Sequence, residues 1–358
     1  MVAKGVTVNP LAWAGKKVLL TGHTGFKGGW LAVWLKLLGS KVYGFSLAPA
    51  TTPNLFSAAK VVDSCAGHTL GDLREAQAVR AAIEAAQPEV VFHLAAQPLV
   101  RASYAAPLET FATNVLGTAH VLEACRGIDS VRALVVVSSD KCYENREWHW
   151  GYRESDALGG HDPYSVSKAC TELVSACYRR SFLAAKAVGI ATARAGNVIG
   201  GGDWAEERLL PDLVRAFAAN RPVRLRRPHA VRPWQHVLEP VHGYLLLAER
   251  LAEGDAAFAQ AWNFGPLPQE SRTVGEVAAL AANQWGPGAR IQIEADQGPH
   301  EAGLLMLDSS EARARIGWQS RWDLETALRA TLDWYRAYYD GRDVVVLTRR
   351  QIEAYMQA

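Results

Sequence analysis

An apolar run that stops abruptly at small polar residues constrains the fold of this chain more than any other feature. Residues 134–137 are Leu-Val-Val-Val, and the polar segment 138–141, Ser-Ser-Asp-Lys, follows directly. Apolar residues without polar alternation predict a strand buried on both faces, as in parallel sheets. In open α/β sheets, ligands bind just beyond the carboxyl ends of such strands. The sequence therefore predicts an α/β protein with a site at this polar segment.

A phenol and an amine follow this segment after a loop rich in aromatic and charged residues. Tyr164 and Lys168 are four residues apart, so in a helix they would share one face, about one turn apart. Together with Ser139, Asp140 and Lys141 they would bring a hydroxyl, a carboxylate, a phenol and two amines to one strand end. This set predicts an active site. The alternative for Tyr164 and Lys168 is a structural pair on a helix. The alternative for Asp140 and Lys141 is an ion pair on the surface.

A glycine-rich turn near the N-terminus predicts a phosphate-binding site. Residues 18–20 are a short strand candidate, and the turn that follows has glycines at positions 22, 25 and 28. Apolar residues at helical spacing then predict a helix over 30–38. Glycines let the backbone turn tightly and approach a pyrophosphate at the helix N-terminus. The spacing differs from the commoner G-x-G-x-x-G, and a plain tight turn is the alternative.

Three further strands would extend a sheet of this kind. We predict them at 41–47, just before Leu70, and at 89–94. The first of these carries Ser46 where dinucleotide folds often have an acidic residue for the ribose. The sequence therefore leaves NAD and NADP both open, and Lys27 could meet a 2′-phosphate.

Small and polar residues follow these strands where a cofactor would lie. Asp72 could accept a hydrogen bond from an adenine amino group, or it could cap a helix over 74–86. Ala95 and Ala96 would let a cofactor approach the end of the strand at 89–94. Asn114 lies in a predicted long helix. An asparagine in a helix is usually on the surface or hydrogen-bonded to the backbone.

The second half of the chain differs in character from the first. After a strand at 189–195 the alternation of strands and helices fades, and prolines and tryptophans become more frequent. We expect a Rossmann-type doubly wound parallel sheet in residues 1–197 and a smaller substrate-binding domain in residues 198–358, with interleaved segments. The arginine-rich segment 221–234 could be a solvated loop or a nucleic-acid patch. Isolated arginines beside proline and tryptophan favour a discrete phosphate clamp.

The composition of the chain argues against several classes of protein. The 358 residues are 49% hydrophobic and 21% charged, with a net charge of +2, which is ordinary for a soluble globular protein and does not favour nucleic acid. Five cysteines without a C-x-x-C pair argue against a disulfide framework or a metal site and suit the cytoplasm. We find no signal peptide and no apolar run of transmembrane length, so we expect no membrane partner.

Taken together, these motifs resemble the extended short-chain dehydrogenase/reductases that act on nucleotide sugars. Within that superfamily, longer segments resemble the family of CDP-glucose 4,6-dehydratases. The segments are the turn 21–30, Ala95-Ala96-Gln97-Pro98-Leu99-Val100-Arg101, residues 139–145, residues 194–204 and Arg232-Pro233-Trp234-Gln235-His236-Val237-Leu238-Glu239-Pro240. The resemblance covers nearly the whole chain, and the Asp-Lys pair and the Arg-Pro-Trp-Gln-His block are its most specific parts.

The resemblance implies a lyase that holds NAD in the first domain and CDP-glucose in the second. It implies a product CDP-4-keto-6-deoxyglucose, used for the deoxysugars of bacterial lipopolysaccharide O-antigen. Asn197 and Arg232 would bind the substrate diphosphate, and Glu301 of the pair His300-Glu301 would accept from a ribose hydroxyl. The cofactor would contact Gly22, Thr24, Gly25, Phe26, Gly28, Asp72, Leu73, Leu94, Ala95, Ala96, Tyr164 and Lys168.

The resemblance also implies catalytic roles. Tyr164 would take the C4 hydroxyl proton, with Ser139 positioning the same oxygen, and Asn114 would join the hydrogen-bond network. A free phenol has a pKa of about 10, which Lys168 and the nicotinamide charge would lower. Related dehydratases use an Asp-Glu pair for the elimination, and here Asp140 would be the acid and Lys141 the base.

Three alternatives remain beside this interpretation. An epimerase or dehydrogenase on another nucleotide sugar would keep Tyr164 and Lys168 but would not need the pair at 140–141. A dehydratase could act on a nucleotide sugar with a different base. A non-catalytic NAD-binding scaffold would need neither Tyr164 and Lys168 nor the pair at 140–141. We also expect a homodimer or homotetramer, because relatives pair through helices like 107–125 and 162–186 in a four-helix bundle.

Overall fold

The structure consists of one large parallel sheet, helices on both of its faces, and short strand pairs beside it. It is a computed structural model that describes residues 5–294 and 302–358. The strands are β1 Lys17–Thr21, β2 Lys41–Ser46, β3 Cys65–Leu70, β4 Val90–His93, β5 Ala133–Val137, β6 Gly189–Ala195, β7 Val198–Ile199, β8 Val223–Leu225, β9 Val231–Arg232, β10 Gln235–His236, β11 Ala261–Phe264, β12 Arg272–Thr273 and β13 Ile291–Ile293.

The α-helices connect and cover these strands. They are α1 Pro10–Trp13, α2 Phe26–Leu37, α3 Leu55–Ala58, α4 Ala76–Ala86, α5 Val100–Ala105, α6 Pro107–Phe111, α7 Gly117–Arg126, α8 Pro163–Tyr178, α9 Leu209–Ala218, α10 Leu238–Ala252, α11 Val274–Trp285, α12 Leu324–Tyr339 and α13 Val344–Gln357. No helix in the described part of the chain is both long enough and apolar enough to cross a membrane.

The large sheet has the strand order β11-β6-β5-β4-β1-β2-β3 and is parallel throughout. The chain runs from β1 outward to β3 and then returns to the other side of β1, where Val18 pairs with Val90. The direction of winding therefore reverses between β1 and β4. Ligands of doubly wound sheets bind at the carboxyl ends of the strands beside such a reversal. The predicted α/β fold class is confirmed.

Alternate residues of the central strands enter two different cores. Leu20 and Val135 face a core that contains helices α2 and α10, including Trp34. Leu19 and Val136 face a second core with helices α4 and α7. Because successive strand residues point to opposite faces, an uninterrupted apolar run such as 134–137 fits a sheet that is covered on both faces.

Segments from the second half of the chain complete the first half. Strand β11 pairs with β6, with Trp262 opposite Ala193, and helix α10 packs in the same core as α2. The short pairs β7–β10, β8–β13 and β9–β12 lie outside the large sheet. The carboxyl ends of the central strands therefore face elements from the second half.

Several boundaries differ from the predicted ones. Helix α2 begins at Phe26, four residues before the predicted start, and includes Gly28 and Gly29 although glycine has a low helix propensity. The long helix predicted over 107–125 contains a π-helical segment at Ala112–Leu116 between α6 and α7. The predicted helix 162–186 is α-helical only as α8 and ends in π and 3-10 turns.

Candidate active site

A cavity of about 640 Å³ lies at the carboxyl ends of the central strands. It is bounded on one side by the glycine turn and on the other by residues of the second half. All the predicted site residues that the structure describes line it, except Asn114. They are Gly22, Thr24, Gly25, Phe26, Gly28, Asp72, Leu73, Leu94, Ala95, Ala96, Ser139, Asp140, Lys141, Tyr164, Lys168, Asn197 and Arg232. His300 and Glu301 lie outside the described residues.

The glycine turn is packed too tightly for side chains. Gly22 has a φ of +80°, and a Cβ there would lie 2.8 Å from the Ala95 nitrogen. A Cβ on Gly28 would lie 2.1 Å from the Gly22 carbonyl oxygen. Gly25 is the N-cap of α2 and offers no side-chain cap to the free amides of the first turn. Free amides at a bare helix N-terminus that lines a cavity fit a dinucleotide pyrophosphate.

Two predicted contacts at this end are already occupied by the protein itself. The Thr24 hydroxyl is 2.8 Å from both the Ser46 hydroxyl and the Leu47 carbonyl oxygen. Asp72 accepts from the Arg74 backbone amide and from its Nε, both at 2.9 Å. Helix α4 begins at Ala76, so Asp72 does not cap it and closes a local turn instead.

Lys27, which could have met a ribose 2′-phosphate, contacts helix α10 instead. Its Nζ donates to the Tyr244 hydroxyl at 3.3 Å. Burial and the charges of Arg208 and Lys168 lower the pKa of Lys27 to about 7, although the charge of Asp140 opposes them. The side chain is therefore directed toward the catalytic cluster, which sequence alone did not indicate.

The polar segment after β5 forms a short turn that aims a carboxylate into the cavity. Ser139 begins a 3-10 turn over Asp140–Cys142, and its hydroxyl accepts from the Lys141 amide at 3.2 Å. The same hydroxyl donates to Asp140 Oδ1 at 3.0 Å. Asp140 Oδ2 is buried and has no hydrogen-bond partner among the described residues. A Cβ on Gly196 would lie 3.1 Å from that oxygen, so a glycine there leaves it open.

The surroundings of Asp140 favour its protonated form. Only 3% of the residue is exposed. Burial raises the pKa of Asp140, and the charges of Lys141, Arg232 and Lys27 and the hydrogen bond from Ser139 only partly oppose this. A carboxyl group held neutral by burial can act as a general acid.

Tyr164 and Lys168 lie one turn apart on α8, as the spacing predicts. Asp162 caps this helix by accepting from the Ser165 amide at 2.9 Å. Both residues of the pair are buried and face the cavity. The Lys168 Nζ donates to the Val137 carbonyl oxygen at 3.3 Å, which ties the helix to the end of β5.

The protein alone does not lower the pKa of the phenol. Burial raises the pKa of Tyr164 to about 12, although a hydrogen bond with Ser139 and the charge of Arg208 act in the opposite direction. Burial likewise lowers the pKa of Lys168 to about 8. Lys168 is not among the main groups that shift the pKa of Tyr164, and its Nζ donates to the Val137 carbonyl oxygen. A positive charge from a bound cofactor would favour the phenolate.

A buried ion pair that the sequence did not predict contacts the residues on both sides of the turn 139–142. Glu172, one turn beyond Lys168 on α8, accepts from Arg194 Nε and Nη2, both at 2.9 Å. It also accepts from the Ser138 hydroxyl. Arg194 donates to the Tyr143 hydroxyl at 2.7 Å and lies over its ring. Ser138 and Tyr143 flank residues 139–142, so one ion pair holds both ends of the catalytic turn.

Asn114 lies behind the cavity, inside the π-helical segment. Its side-chain oxygen accepts from the Gln97 amide at 2.8 Å, and its nitrogen donates to the Gln97 carbonyl and the Ser167 hydroxyl at 3.0 and 2.8 Å. These bonds fix the loop after β4 against helix α8. Its predicted membership of the active-site network stays a prediction.

Polar and charged residues that follow β6 form the opposite wall. Asn197 follows β6, and Arg232 donates to the carbonyl oxygens of Val231 and Ala302 while 7% of it is exposed. Arg208, just before α9, pairs with Asp203 at 2.9 Å and influences Tyr164 electrostatically. The sequence analysis did not select Arg208. Its position between a glycine-rich strand end and an amphipathic helix could have indicated a site residue.

The geometry therefore combines a phosphate cradle, a phenol with a nearby lysine, and a buried carboxyl with a raised pKa beside a second lysine. Such a site can bind a dinucleotide and an anionic substrate, move a proton from an alcohol, and protonate a leaving group. Among the described residues, no cluster of three or more His, Cys, Asp or Glu could hold a metal.

Comparisons with known proteins agree with this geometry. The family model described as GDP-mannose 4,6 dehydratase matches residues 19–331. CDP-glucose 4,6-dehydratase of Salmonella typhimurium is 46% identical over 351 residues, which are 97% of this chain and 98% of that protein.

Two solved structures share the fold. An epimerase of Methanothermobacter thermautotrophicus has a TM-score of 0.81 at 21% identity and covers 95% of this chain and 96% of its own. UDP-glucose 4-epimerase of Brucella ovis in complex with NAD has a TM-score of 0.78 at 21% identity and covers 90% and 98%.

Proposed function

The chain belongs to the family that the GDP-mannose 4,6 dehydratase model describes, and from this membership we propose that it is an NAD-dependent CDP-glucose 4,6-dehydratase. The reaction removes water from CDP-glucose and yields CDP-4-keto-6-deoxyglucose. The observation that carries the proposal is the buried Asp140 carboxyl, which has one oxygen without a hydrogen-bond partner among the described residues and a raised pKa, beside Lys141 in the cavity that holds Tyr164 and Lys168. A site that only oxidised or epimerised a sugar would have no use for this acid.

Oxidation of the sugar C4 hydroxyl requires a base. A bound NAD would accept the hydride from C4 and later return it to C6, so the reaction has no net redox change. Tyr164 takes the hydroxyl proton, and Ser139, which lowers the pKa of the phenol, positions the same oxygen. Lys168, whose Nζ donates to the Val137 carbonyl oxygen, ties the end of β5 to the helix that carries this phenol. The glycine cradle at Gly22 and Gly28 supports the dinucleotide at this place.

Elimination follows because the C4 ketone acidifies the C5 proton. Lys141 takes that proton, and Asp140 protonates the C6 hydroxyl as it leaves as water. Burial favours the protonated carboxyl that this step needs. Asp140 Oδ2, free of partners among the described residues, is the oxygen that can reach a substrate hydroxyl.

The substrate diphosphate binds against the second half of the chain. Asn197 and Arg232 contact it, and Glu301 accepts from the cytidine ribose. We assign residues 1–197 to NAD and residues 198–358 to the nucleotide sugar. The return of strand β11 to the large sheet supports their interleaving. Preference for cytidine follows the Salmonella relative.

The decisive experiment is one turnover assay with CDP-, UDP-, dTDP- and GDP-glucose side by side. We expect mass spectrometry to detect loss of one water from CDP-glucose, with no accumulation of NADH. An isomer of unchanged mass would indicate an epimerase, and steady accumulation of NADH would indicate a dehydrogenase. Dehydration of a different nucleotide sugar would confirm the proposed type of reaction and contradict the assignment of cytidine as the base.

We also propose a homodimer or homotetramer built through helices α6, α7 and α8. These helices and the π-helical segment between α6 and α7 expose apolar side chains: Leu108 is 83% exposed, Leu116 56% and Leu173 58%. Burying such a patch between copies would be favourable. Sedimentation velocity should show a smaller species for Leu108→Glu with Leu173→Glu. Leu11→Glu, at an 86% exposed residue of α1, is the control and should not change the assembly.

We place the enzyme in the cytoplasm. All five cysteines are free thiols in the described structure, which suits a reducing compartment. Fractionation of expressing cells tests this, and recovery in the membrane fraction would contradict it.

A further inference from the structure

Lys27 lies at the end of a helix that ordinarily favours a negative charge. It is the second residue of α2, whose first turn contains no acidic residue. Because the N-terminus of a helix carries a partial positive charge, a lysine in the first turn is unfavourable for the helix by itself. The N-cap, Gly25, offers no side chain to the free amides there. An anion bound at this end would interact favourably with both the amides and the lysine.

The described part of the protein does not supply that anion. Lys27 is half-buried and lines the cavity. Its Nζ donates to the hydroxyl of the buried Tyr244 at 3.3 Å, and this hydroxyl is its one hydrogen-bond partner among the described residues. An ammonium group has three N–H donors. Two donors of Lys27 therefore remain for a ligand in the cavity.

We propose that Lys27 binds a phosphate oxygen of the pyrophosphate of NAD and takes up a proton when the cofactor binds. The step is an acid–base equilibrium. Solvent supplies the proton, one N–H bond forms at Nζ, and the resulting ammonium group donates to the phosphate oxygen. This inference rests on the proposed function, which places NAD in this cavity, and it adds a side chain to a site that otherwise consists of backbone amides.

The position of the side chain fits this contact. The backbone of Lys27 belongs to the first turn of α2, next to the glycine cradle. Its Nζ lies close enough to Lys168 and Asp140 for their charges to influence it. The side chain therefore lies along the path from the cradle to the catalytic residues that a bound dinucleotide would take.

The charges around Lys27 make its protonation sensitive to an anion. They come from Arg208 just before α9, Lys168 of α8 and Asp140 after β5, and the neutral Tyr244 hydroxyl of α10 is its hydrogen-bond partner. Because the pKa of Lys27 is lowered to about 7, about half of the amine is neutral at pH 7 and most of it at pH 8. A bound phosphate adds negative charge and a hydrogen-bond acceptor, and both raise the pKa again.

Isothermal titration calorimetry measures the proton and the affinity together. Protein freed of bound dinucleotide is titrated with NAD in buffers of different ionisation enthalpy, which gives the number of protons taken up. Because the pKa of free Lys27 is about 7, we expect about 0.9 proton at pH 8 and about 0.1 at pH 6. The affinity for NAD should correspondingly fall as the pH rises above 7.

Three variants assign the proton to Lys27. Lys27→Met keeps the bulk but not the amine, so it should take up almost no proton at pH 8. It should also bind NAD about 10–100-fold more weakly, the scale of a lost hydrogen bond between charged groups. Lys27→Arg is permanently charged and should bind NAD without proton uptake. Lys36→Met, at an exposed residue of the same helix, is the matched control and should behave like the unmodified protein.

Other ligands identify the group that Lys27 contacts. ADP-ribose has both phosphates but no nicotinamide and should give the same proton uptake as NAD, whereas adenosine should give none. CDP, the phosphate-bearing part of the proposed substrate, should also give none. Uptake with CDP and not with ADP-ribose would place Lys27 at the substrate and overturn the assignment.

Unchanged proton uptake and NAD affinity in Lys27→Met would overturn the inference altogether. The proposed function is tested separately, by dehydration of CDP-glucose by the unmodified protein. A protein that binds NAD with the expected proton uptake but removes no water would contradict the proposed function and leave the role of Lys27 intact.

Discussion

Two buried carboxylates on either side of the catalytic turn have opposite surroundings. Glu172, below the turn, accepts hydrogen bonds from Ser138, Thr192 and Arg194. Asp140, in the cavity, accepts one hydrogen bond, from Ser139, and its second oxygen has no partner among the described residues. The exposed fractions of the two residues are nearly equal, 4% and 3%. Burial alone therefore does not distinguish them.

The number of donors decides what each carboxylate can do. Burial raises the pKa of Glu172, but the charge of Arg194 and three hydrogen-bonding side chains outweigh it, so the pKa is lowered overall. For Asp140 burial outweighs weaker opposing effects, and the pKa is raised. A fully satisfied carboxylate stays charged and fixes the structure, whereas a half-satisfied one keeps a proton and faces the substrate.

The largest expected effect is on catalysis by Asp140→Asn. The amide can still accept from Ser139 but has no acidic proton for the C6 hydroxyl. We expect kcat to fall by roughly 10²–10⁴-fold, with a free energy of unfolding close to that of the unmodified protein. Mass spectrometry measures the loss of water, and absorbance of the reduced nicotinamide should show that the reaction stops after oxidation.

Urea denaturation provides the control for this variant. If Asp140 had the structural role of Glu172, the variant would be strongly destabilised and its catalytic loss would follow from unfolding. Dehydration within about tenfold of the normal rate would mean that another group is the acid.

The comparison also explains what could be read from the sequence. Asp140 was predictable because it directly follows an apolar strand, and polar residues at that position mark a site in parallel sheets. Glu172 and Arg194 are 22 residues apart, on α8 and β6. No local pattern links them, since they meet only when the helix packs on the sheet.

Local rules failed where tertiary packing overrides propensity. Helix α2 accommodates Gly28 because a Cβ would collide with the Gly22 carbonyl at 2.1 Å, a constraint invisible to helix propensity. The π-helical segment 112–116 has no sequence signature of its own. The raised pKa of Tyr164 also depends on burial, whereas the motif suggested only the nearby lysine.

The second effect is on stability, through Arg194→Met. Removing the guanidinium leaves Glu172 buried without its counter-ion, which typically costs about 3–5 kcal/mol. Urea denaturation should show this loss of unfolding free energy. Because Ser138 and Tyr143 would lose their common anchor, turnover by the folded fraction should also fall.

A double variant is the matched control for the ion pair. Glu172→Met with Arg194→Met removes both charges, and apolar replacement of a whole buried pair is often nearly neutral. Its stability should exceed that of Arg194→Met alone. A double variant as unstable as the single one would show that packing, and not the uncompensated charge, causes the loss.

The smallest effect concerns a third buried carboxylate, Glu239, which has hydrogen-bond donors but no salt-bridge partner in the described part of the chain. It accepts from the Trp322 amide at 2.8 Å and the Tyr355 hydroxyl at 2.6 Å. Burial outweighs these bonds and raises the pKa of Glu239 from 4.5 to about 7. The folded state therefore holds this proton more tightly than the unfolded state does.

Glu239 should consequently make stability fall as pH rises. Its contribution is complete below pH 4.5 and is lost as the pH approaches about 7; one pKa unit corresponds to about 1.4 kcal/mol, so the total is roughly 3 kcal/mol. Glu239→Gln has no charge to bury and should lose less stability over the same range, measured by urea denaturation at several pH values. Parallel pH profiles for the two proteins would mean that Glu239 is already charged at pH 5. Hydrogen bonds alone would then be enough to keep a buried carboxylate charged. In that case the counter-ion Arg194 would not explain why the pKa of Glu172 is lowered and that of Asp140 is raised.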